Sequence, residues 1–453
     1  MMLFTDEALA EATGGQLLGR GPAGPLRTDS RRLAAGDWFV ALTGDRFDGH
    51  DFFAAAAAAG CAGVVGQRAP VGWDRGFVCV PDSLLALQSA ARAARARFTG
   101  PVVGITGSAG KTTTRAMTAL AIGALGRVHQ TEGNLNNHIG VPLTLLDAPE
   151  DAAAWVIEMG MNHLAEIDLL QGISRPTVRL ITNVGAAHLE GLGTLENVAI
   201  AKGELFDGAL PGDICCINAD DALVRSRAIP AGARVLTYGV QPGVDVRLRE
   251  ASVEAATMST RLRVETPNGA LSIRLGSPGL HLAHNATAAV AVAVALRLPL
   301  DGLAERLGAY APVGMRAAVL RLDNGLTVIN DAYNANPPSM AASLHTLAAL
   351  PGRRAAILGD MRELGSQSEA AHREVLALAR SLQLDLLGVS GPCFAAAAAE
   401  LSDPGELIVA ETPEATALLL RPHLRPGDTV LLKGSRGSAV ERALPTLRTA
   451  PER

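Results

Sequence analysis

The chain has 453 residues, 48% of them hydrophobic and 19% charged, and a formal net charge of −5. This length is too great for one ordinary core, and roughly two to four domains are expected. The mild acidity argues against a general nucleic-acid or anionic-membrane binder, while leaving room for local basic pockets that hold phosphates.

Aromatic residues make up only 3%, so alanine and leucine must fill the interior. The cysteines, Cys61, Cys79, Cys215, Cys216 and Cys393, have neither metal-ligand spacing nor a disulfide framework, and read as small core residues of a reducing compartment. The start of the chain has no basic region, and no apolar run reaches the length of a membrane span, so a cytoplasmic protein without a leader or anchor is expected.

Taken in order, residues 1–98 read as a small α/β domain. Strands are expected at 37–42, 62–65 and 77–80, and helices at 52–59 and 83–97. The alanine runs at 52–59 and 395–399 are ordinary helices, because alanine is the best helix former. Two polar stretches stand out, Thr28-Asp29-Ser30-Arg31-Arg32 and residues 43–51. They are either solvated loops or a pair of loops that present Arg, Ser and backbone N–H groups to an anion.

Residues 98–101 read as a hinge into a second domain. There the apolar runs 102–105, 154–158 and 178–184 alternate with helical stretches, the pattern of a parallel sheet with crossover helices. The first run leads into Thr106-Gly107-Ser108-Ala109-Gly110-Lys111-Thr112-Thr113, then a helix at 112–123. A glycine-rich turn between strand and helix makes a phosphate cradle. Glycines let backbone N–H groups approach phosphate oxygens, and the helix adds its positive end. Lys111 can reach the β- and γ-phosphates, and a Thr hydroxyl can ligate Mg²⁺. The general pattern G-x-x-x-x-G-K-[ST] asks for glycine where this chain has Ile105, so the loop is the shorter form G-x-x-G-K-T-T.

Asn134, Asn136 and Asn137 cluster in an amide-rich stretch that suits a polar ligand or a turn. Glu158 ends an apolar strand at the carboxyl edge of the sheet, where ligands bind, and is either a surface residue or a Mg²⁺ ligand. His188 leaves the sheet on the same edge, as a structural residue or a ligand. Lys202 reads as a helix-surface lysine. Residues 257–266 and 270–275 flank Pro267-Asn268-Gly269, a hairpin signal, and helix returns at 283–298.

Residues 310–315 form the next linker. Apolar runs at 327–330, 355–358, 386–389, 407–409 and 429–433 then describe a third α/β domain with a largely parallel sheet. Polar loops follow three of these runs: 331–338, 359–365 and 433–437. They suggest one shared binding edge, or are ordinary connections.

Together these motifs resemble the ATP-dependent Mur ligases over essentially the whole chain. Within that family they are most similar to the type that joins D-alanyl-D-alanine to UDP-N-acetylmuramoyl-tripeptide. The phosphate loop is common to the family. More specific marks are Gly133-Asn134-Leu135-Asn136-Asn137, Ala187-His188-Leu189-Glu190-Gly191, Asp331-Ala332-Tyr333-Asn334-Ala335-Asn336-Pro337, Leu358-Gly359-Asp360-Met361 and Lys433-Gly434-Ser435-Arg436. Residues 28–31, 39–42 and 47–51 match the family's uridine-nucleotide domain.

The resemblance implies three α/β domains: 1–98 for the UDP substrate, 99–312 as a P-loop parallel-sheet ATPase domain, and a Rossmann-like 313–453 that binds D-Ala-D-Ala and completes the ATP site. Thr106 to Thr113 would then hold ATP, with Thr112, Glu158 and His188 as contacts to Mg²⁺. Lys202 falls where the family has a carbamylated lysine, an anion able to help place a second Mg²⁺. Asn285 matches an adenine contact, Arg316 a phosphate contact and Asp331 a ribose contact. Ser30, Arg31, Asn134, Asn136, Asn137, Tyr333, Asn334, Asn336, Lys433, Ser435 and Arg436 would meet the two substrates. One departure is Leu282, where the family usually has Asn after the His of this motif; either His281 or His284 substitutes, or the contact is dispensable.

The implied reaction is a three-step ligation through an acyl phosphate, serving peptidoglycan synthesis, with closure of the third domain on the second. No side chain stands out as general base for the amine, and a monomer is expected. Rival readings are the preceding Mur ligase, a folylpolyglutamate synthase, or an ATP-binding regulator without catalysis. The 133–137 and 331–337 loops argue against the first two; the joint presence of Lys111, Glu158, His188 and Lys202 weighs against the third.

Overall fold

The computed structural model describes residues 2–44, 47–69, 71–403 and 405–449. Asp45 and Arg46, part of the second polar stretch of the first domain, lie outside the described residues. Three large sheets follow one another along the chain.

The first sheet has the order Gln16–Gly19, Gly76–Cys79, Gly63–Gly66, Trp38–Val40, Leu26–Arg27 and is parallel except for its edge strand Gln16–Gly19. The helix Ser83–Arg97 starts where Asp82 accepts the N–H groups of Leu84 and Leu85 at 2.7 and 2.9 Å. Its alanine-rich face, with Leu87, Ala90, Ala91 and Ala94, is wholly buried. These side chains share one core with Val102, Trp155 and Ile157, so the first unit is fastened to the central sheet by apolar contact.

In the second sheet, of nine strands, Val102–Thr106 is third from one edge and lies between Ala154–Glu158 and Val178–Ile181, all parallel. Alternation along the strand sends Val103 and Ile105 toward the helices Lys111–Ala121 and Leu280–Ala295, and Val102 to the opposite core. With both faces covered the strands are mostly apolar, which makes them legible, although Val178–Ile181 also buries Arg179. The hairpin forms as Ser259–Thr266 against Gly269–Leu275.

Some boundaries differ from expectation. The strand expected at 178–184 stops at Ile181, because Thr182 and Asn183 turn their side chains to the phosphate loop. The helix expected at 283–298 runs Leu280–Ala295 and closes with Arg297 at φ +57. Val246–Glu254 is an additional strand whose exposed middle, Arg249 to Ser252, masks its pattern. Cys215 and Cys216 lie buried in the strand Ile214–Asn218, and all the cysteines are unbonded; Cys79 and Cys393 are only partly buried.

The third sheet runs Ala318–Arg321, Thr327–Asp331, Thr429–Lys433, Arg354–Gly359, Leu386–Ser390, Leu407–Ala410, parallel except for Ala318–Arg321. Its three polar loops leave the carboxyl ends of neighbouring strands and so share one edge. No helix of the described residues is long and apolar enough to cross a membrane.

Candidate active site

The turn between Val102–Thr106 and Lys111–Ala121 is built for close approach. Gly110 has φ +78, in the left-handed region, and a Cβ there would lie 2.6 Å from Asn285 Oδ1. The neighbouring strand end stitches the turn in place. Ala109 N–H donates to Asn183 Oδ1 at 2.9 Å, Thr182 Oγ1 donates to the Ala109 carbonyl at 2.6 Å, and Ser108 Oγ donates to the Gly185 carbonyl at 3.0 Å. Lys111 Nζ folds back onto the Gly107 carbonyl at 2.8 Å.

Glu158 stands beside this loop, 3% exposed. Its Oε2 accepts from Thr112 Oγ1 at 2.9 Å and its Oε1 from Asn136 Nδ2 at 2.9 Å. Arg115 Nε lies 3.9 Å away, and Arg115 Nε and Nη1 are buried without hydrogen-bond partners among the described residues. Burial pushes Lys111 and Arg115 below their ordinary pKa, with Glu158 acting in the opposite direction. A hydroxyl and a carboxylate set on a phosphate loop match the oxygen donors that Mg²⁺ takes alongside phosphate and water.

Lys202 is corrected by the structure: it is 1% exposed, not on a helix surface. On Leu195–Asp207 it shares the inward face with Val198 and Leu205, at helical spacing. No described hydrogen bond or ion pair involves its ammonium, and burial, reinforced by the charge of Lys111, drives its pKa well down. Lys111 and Arg115 thus set two basic side chains against the single carboxylate of Glu158, an arrangement completed by a polyanion.

The third sheet supplies the opposite wall. Asn336 Nδ2 donates to the Ser108 carbonyl at 3.3 Å while its Oδ1 caps Pro337–Ala348. Arg316 lies over the Tyr333 ring, 3.5 Å from its centroid. Asp331 is fixed by Lys433 Nζ at 2.5 Å and Ser343 Oγ at 2.7 Å on Oδ2, and by Ala317 N–H at 3.1 Å on Oδ1. His188 Nδ1 meets Glu363 Oε2 at 2.9 Å, and that ring holds the Glu363 carboxyl below its usual value.

These walls enclose a cavity of about 680 Å³. Of the residues singled out in the sequence, Ser108 to Thr113, Asn134, Asn136, Asn137, Glu158, His188, Asn285, Arg316, Asp331, Tyr333, Asn334, Asn336 and Lys433 line it. Thr106, Gly107, Lys202, Ser30, Arg31, Ser435 and Arg436 do not. Thr106 and Lys202 are buried behind the wall. Arg31 pairs with Asp29 at 2.8 Å and Arg436 with Glu441 at 2.7 Å. Leu282, at the unusual position, is 2% exposed and packs into the core, and it lines the cavity together with His281 and His284. His281 Nδ1 has no hydrogen-bond partner among the described residues, and burial lowers its pKa to about 4.

Sequence reading missed Arg115, Arg362 and Glu363. Arg115 follows Lys111 by one helical turn, which was the available signal. Asp360, His372 and Cys393 also converge, with donor atoms within 4.8 Å. Their lone pairs are engaged: Asp360 accepts from Cys393 and Phe394 N–H, and His372 Nε2 accepts from Met361 N–H. Asp360 thereby caps the first turn of Pro392–Ala399 from outside the helix.

Family models match in three consecutive stretches: the Mur ligase family catalytic domain at residues 25–92, the Mur ligase middle domain at 105–293, and the Mur ligase glutamate ligase domain at 315–436. The chain is 36% identical over 450 residues, 99% of each chain, to the UDP-N-acetylmuramoyl-tripeptide–D-alanyl-D-alanine ligase of Escherichia coli. Its structure is similar to that of MurF from Acinetobacter baumannii, with TM-score 0.90, 31% identity and 99% of both chains covered. MurF ligase from Thermotoga maritima, solved in complex with ADP, gives TM-score 0.84 at 30% identity over 94% of this chain and 97% of that one.

Proposed function

The chain belongs to the Mur ligase family, and we propose that it is the ATP-dependent ligase joining D-alanyl-D-alanine to UDP-N-acetylmuramoyl-tripeptide for peptidoglycan synthesis. The observation that carries this reading is the single cavity in which a phosphate loop, Glu158 and the polar loops of the third sheet face one another. A carboxylate, a triphosphate and an amine must meet in one place for such a ligation.

In the first step the terminal carboxylate of the tripeptide attacks the γ-phosphorus of ATP, giving an acyl phosphate and ADP. Lys111 and Arg316 offset the charge on the transferring group, and the loop N–H groups orient it. Mg²⁺, held by Thr112, Glu158 and His188, would supply further charge neutralisation. The amine of D-alanyl-D-alanine then attacks the acyl carbon, phosphate leaves, and the nitrogen loses a proton to become the amide. The wall from the third sheet limits access of water to the acyl phosphate.

Asn285, packed under Gly110, is assigned to adenine and Asp331 to ribose. Residues 1–98, with Ser30 and Arg31, are assigned to the UDP end of the substrate. Lys202 is assigned as a carbamate. Its burial beside Lys111 supports this reading, because a depressed pKa leaves the neutral amine that reacts with CO₂ with loss of a proton, and the resulting anion is attracted by the neighbouring Lys111. A single protomer supplies every group named, and the free thiols Cys215 and Cys216 suit a cytoplasmic setting.

The test of Lys202 is chemical rescue. Lys202→Ala should lose ligation and regain part of it with formate or another short carboxylate. Full activity of the unrescued variant would reject the assignment.

A further inference from the structure

The loop after Arg354–Gly359 places two side chains of opposite charge in succession on the cavity wall, Arg362 and Glu363. Both are exposed, and neither is used in the phosphate chemistry above. They reach in different directions. Glu363 meets His188 Nδ1 at 2.9 Å and lies near enough to Lys111 to feel its charge. Arg362 turns toward Gly437, donating Nη2 to its carbonyl at 3.0 Å. A Cβ at Gly437 would stand 2.4 Å from the Arg362 Cζ, so the guanidinium lies flat on a residue without a side chain. The Arg362 N–H donates to the buried Ser435 Oγ at 2.9 Å, which anchors the loop.

The other cations on this wall are engaged. Lys433 pairs with Asp331 at 2.5 Å, Arg316 stacks on Tyr333, and Arg436 pairs with Glu441 at 2.7 Å outside the cavity. Among the described hydrogen bonds Arg362 has main-chain and hydroxyl partners only, and no described ion pair includes it.

We infer that Arg362 and Glu363 clamp the two ends of the zwitterionic dipeptide, the carboxylate on Arg362 and the ammonium beside Glu363. This rests on the ligase reading above and names the acceptor end of that site. A guanidinium matches a carboxylate with two parallel hydrogen bonds. A dipeptide extends to about 7 Å, a span that two diverging side chains on adjacent residues, with Cα atoms about 3.8 Å apart, can bracket. Glu363 beside His188 and Lys111 keeps the amine at the phosphate-loop end, where the activated carboxyl forms. Arg362 on Gly437 keeps the carboxylate away from it. The clamp therefore fixes which end of the dipeptide reacts and selects an acceptor with a free C-terminus.

The experiment compares D-alanyl-D-alanine with its C-terminal amide as acceptors for the wild-type chain, Arg362→Ala, Arg362→Lys and Glu363→Gln. The wild type should favour the free acid in kcat/KM by roughly ten- to a hundredfold, the loss typical of a missing charge-assisted contact. Arg362→Ala should bring that ratio close to one by losing activity on the acid. Arg362→Lys should restore part of the preference, and Glu363→Gln should lower both acceptors alike. The ratio is taken on one preparation, so a smaller folded fraction cancels. A preference kept by Arg362→Ala, or absent from the wild type, overturns the clamp alone. A wild type that ligates neither acceptor overturns the ligase reading and the clamp together.

Discussion

His188 Nδ1 and Glu363 Oε2 meet at 2.9 Å and link an end of the central sheet to a loop of the third. Both residues sit in the left-handed region, at φ +58 and +64, which non-glycine residues rarely adopt. Such strain concentrates at functional sites. The Glu363 side chain is 55% exposed, so the pair contributes under ~1 kcal/mol to stability after screening. Glu363→Gln is therefore expected to leave Tm within about 2 °C by calorimetry. A fall of more than about 5 °C would mean that the contact fastens the two sheets rather than positioning a catalytic edge.

Lys202 is expected to oppose folding while serving activity. Its folded pKa is depressed, so the unfolded state takes up the proton more readily, and stability falls as pH drops below the free-lysine value of about 10.4. In CO₂-free buffer, Lys202→Met should flatten this slope between pH 7 and 10 and stabilise the ligand-free chain by about 1–3 kcal/mol, with ligation lost. A less stable Lys202→Met protein in urea titrations would contradict an uncompensated buried amine.

Gly110→Ala combines two penalties, a φ of +78 and a Cβ 2.6 Å from Asn285 Oδ1. A loss of about 1–3 kcal/mol of stability and at least tenfold weaker ATP binding by calorimetric titration are expected. Unchanged affinity would mean that Asn285 does not seat the phosphate loop.

His281 provides an acid-side signature. Its folded pKa of about 4 lies below the free value of about 6.5, so its contribution to stability is present above about 6.5 and is lost as pH falls toward 4. His281→Gln should show a shallower decline of Tm across that window than the wild type. Parallel declines would assign the acid sensitivity to other groups.

Much of this architecture is legible because fully covered parallel strands carry apolar runs, as in Ala154–Glu158 and Thr429–Lys433, whose bounds the sequence predicts to the residue and whose polar last residues, Glu158 and Lys433, reach the cavity. Val246–Glu254 is not, since its exposed charged middle resembles a loop. The phosphate loop announces itself through glycine spacing, and the three polar loops through their place after strands. Lys202 misleads because a charged residue on an apolar helix face reads as surface until packing is known. Arg362 and Glu363 stay unassigned in the sequence because their meaning lies in Gly437 and His188, distant in the chain and adjacent only after folding.

The most direct measurement is product formation by the purified chain with ATP, Mg²⁺, bicarbonate, UDP-N-acetylmuramoyl-tripeptide and D-alanyl-D-alanine. The expected result is UDP-N-acetylmuramoyl-pentapeptide, identified by mass, with one ADP and one phosphate released per amide formed, and no pentapeptide when any component except bicarbonate is withheld. ATP turnover without pentapeptide, or no turnover under these conditions, would contradict the assignment of this cavity as the site of amide ligation.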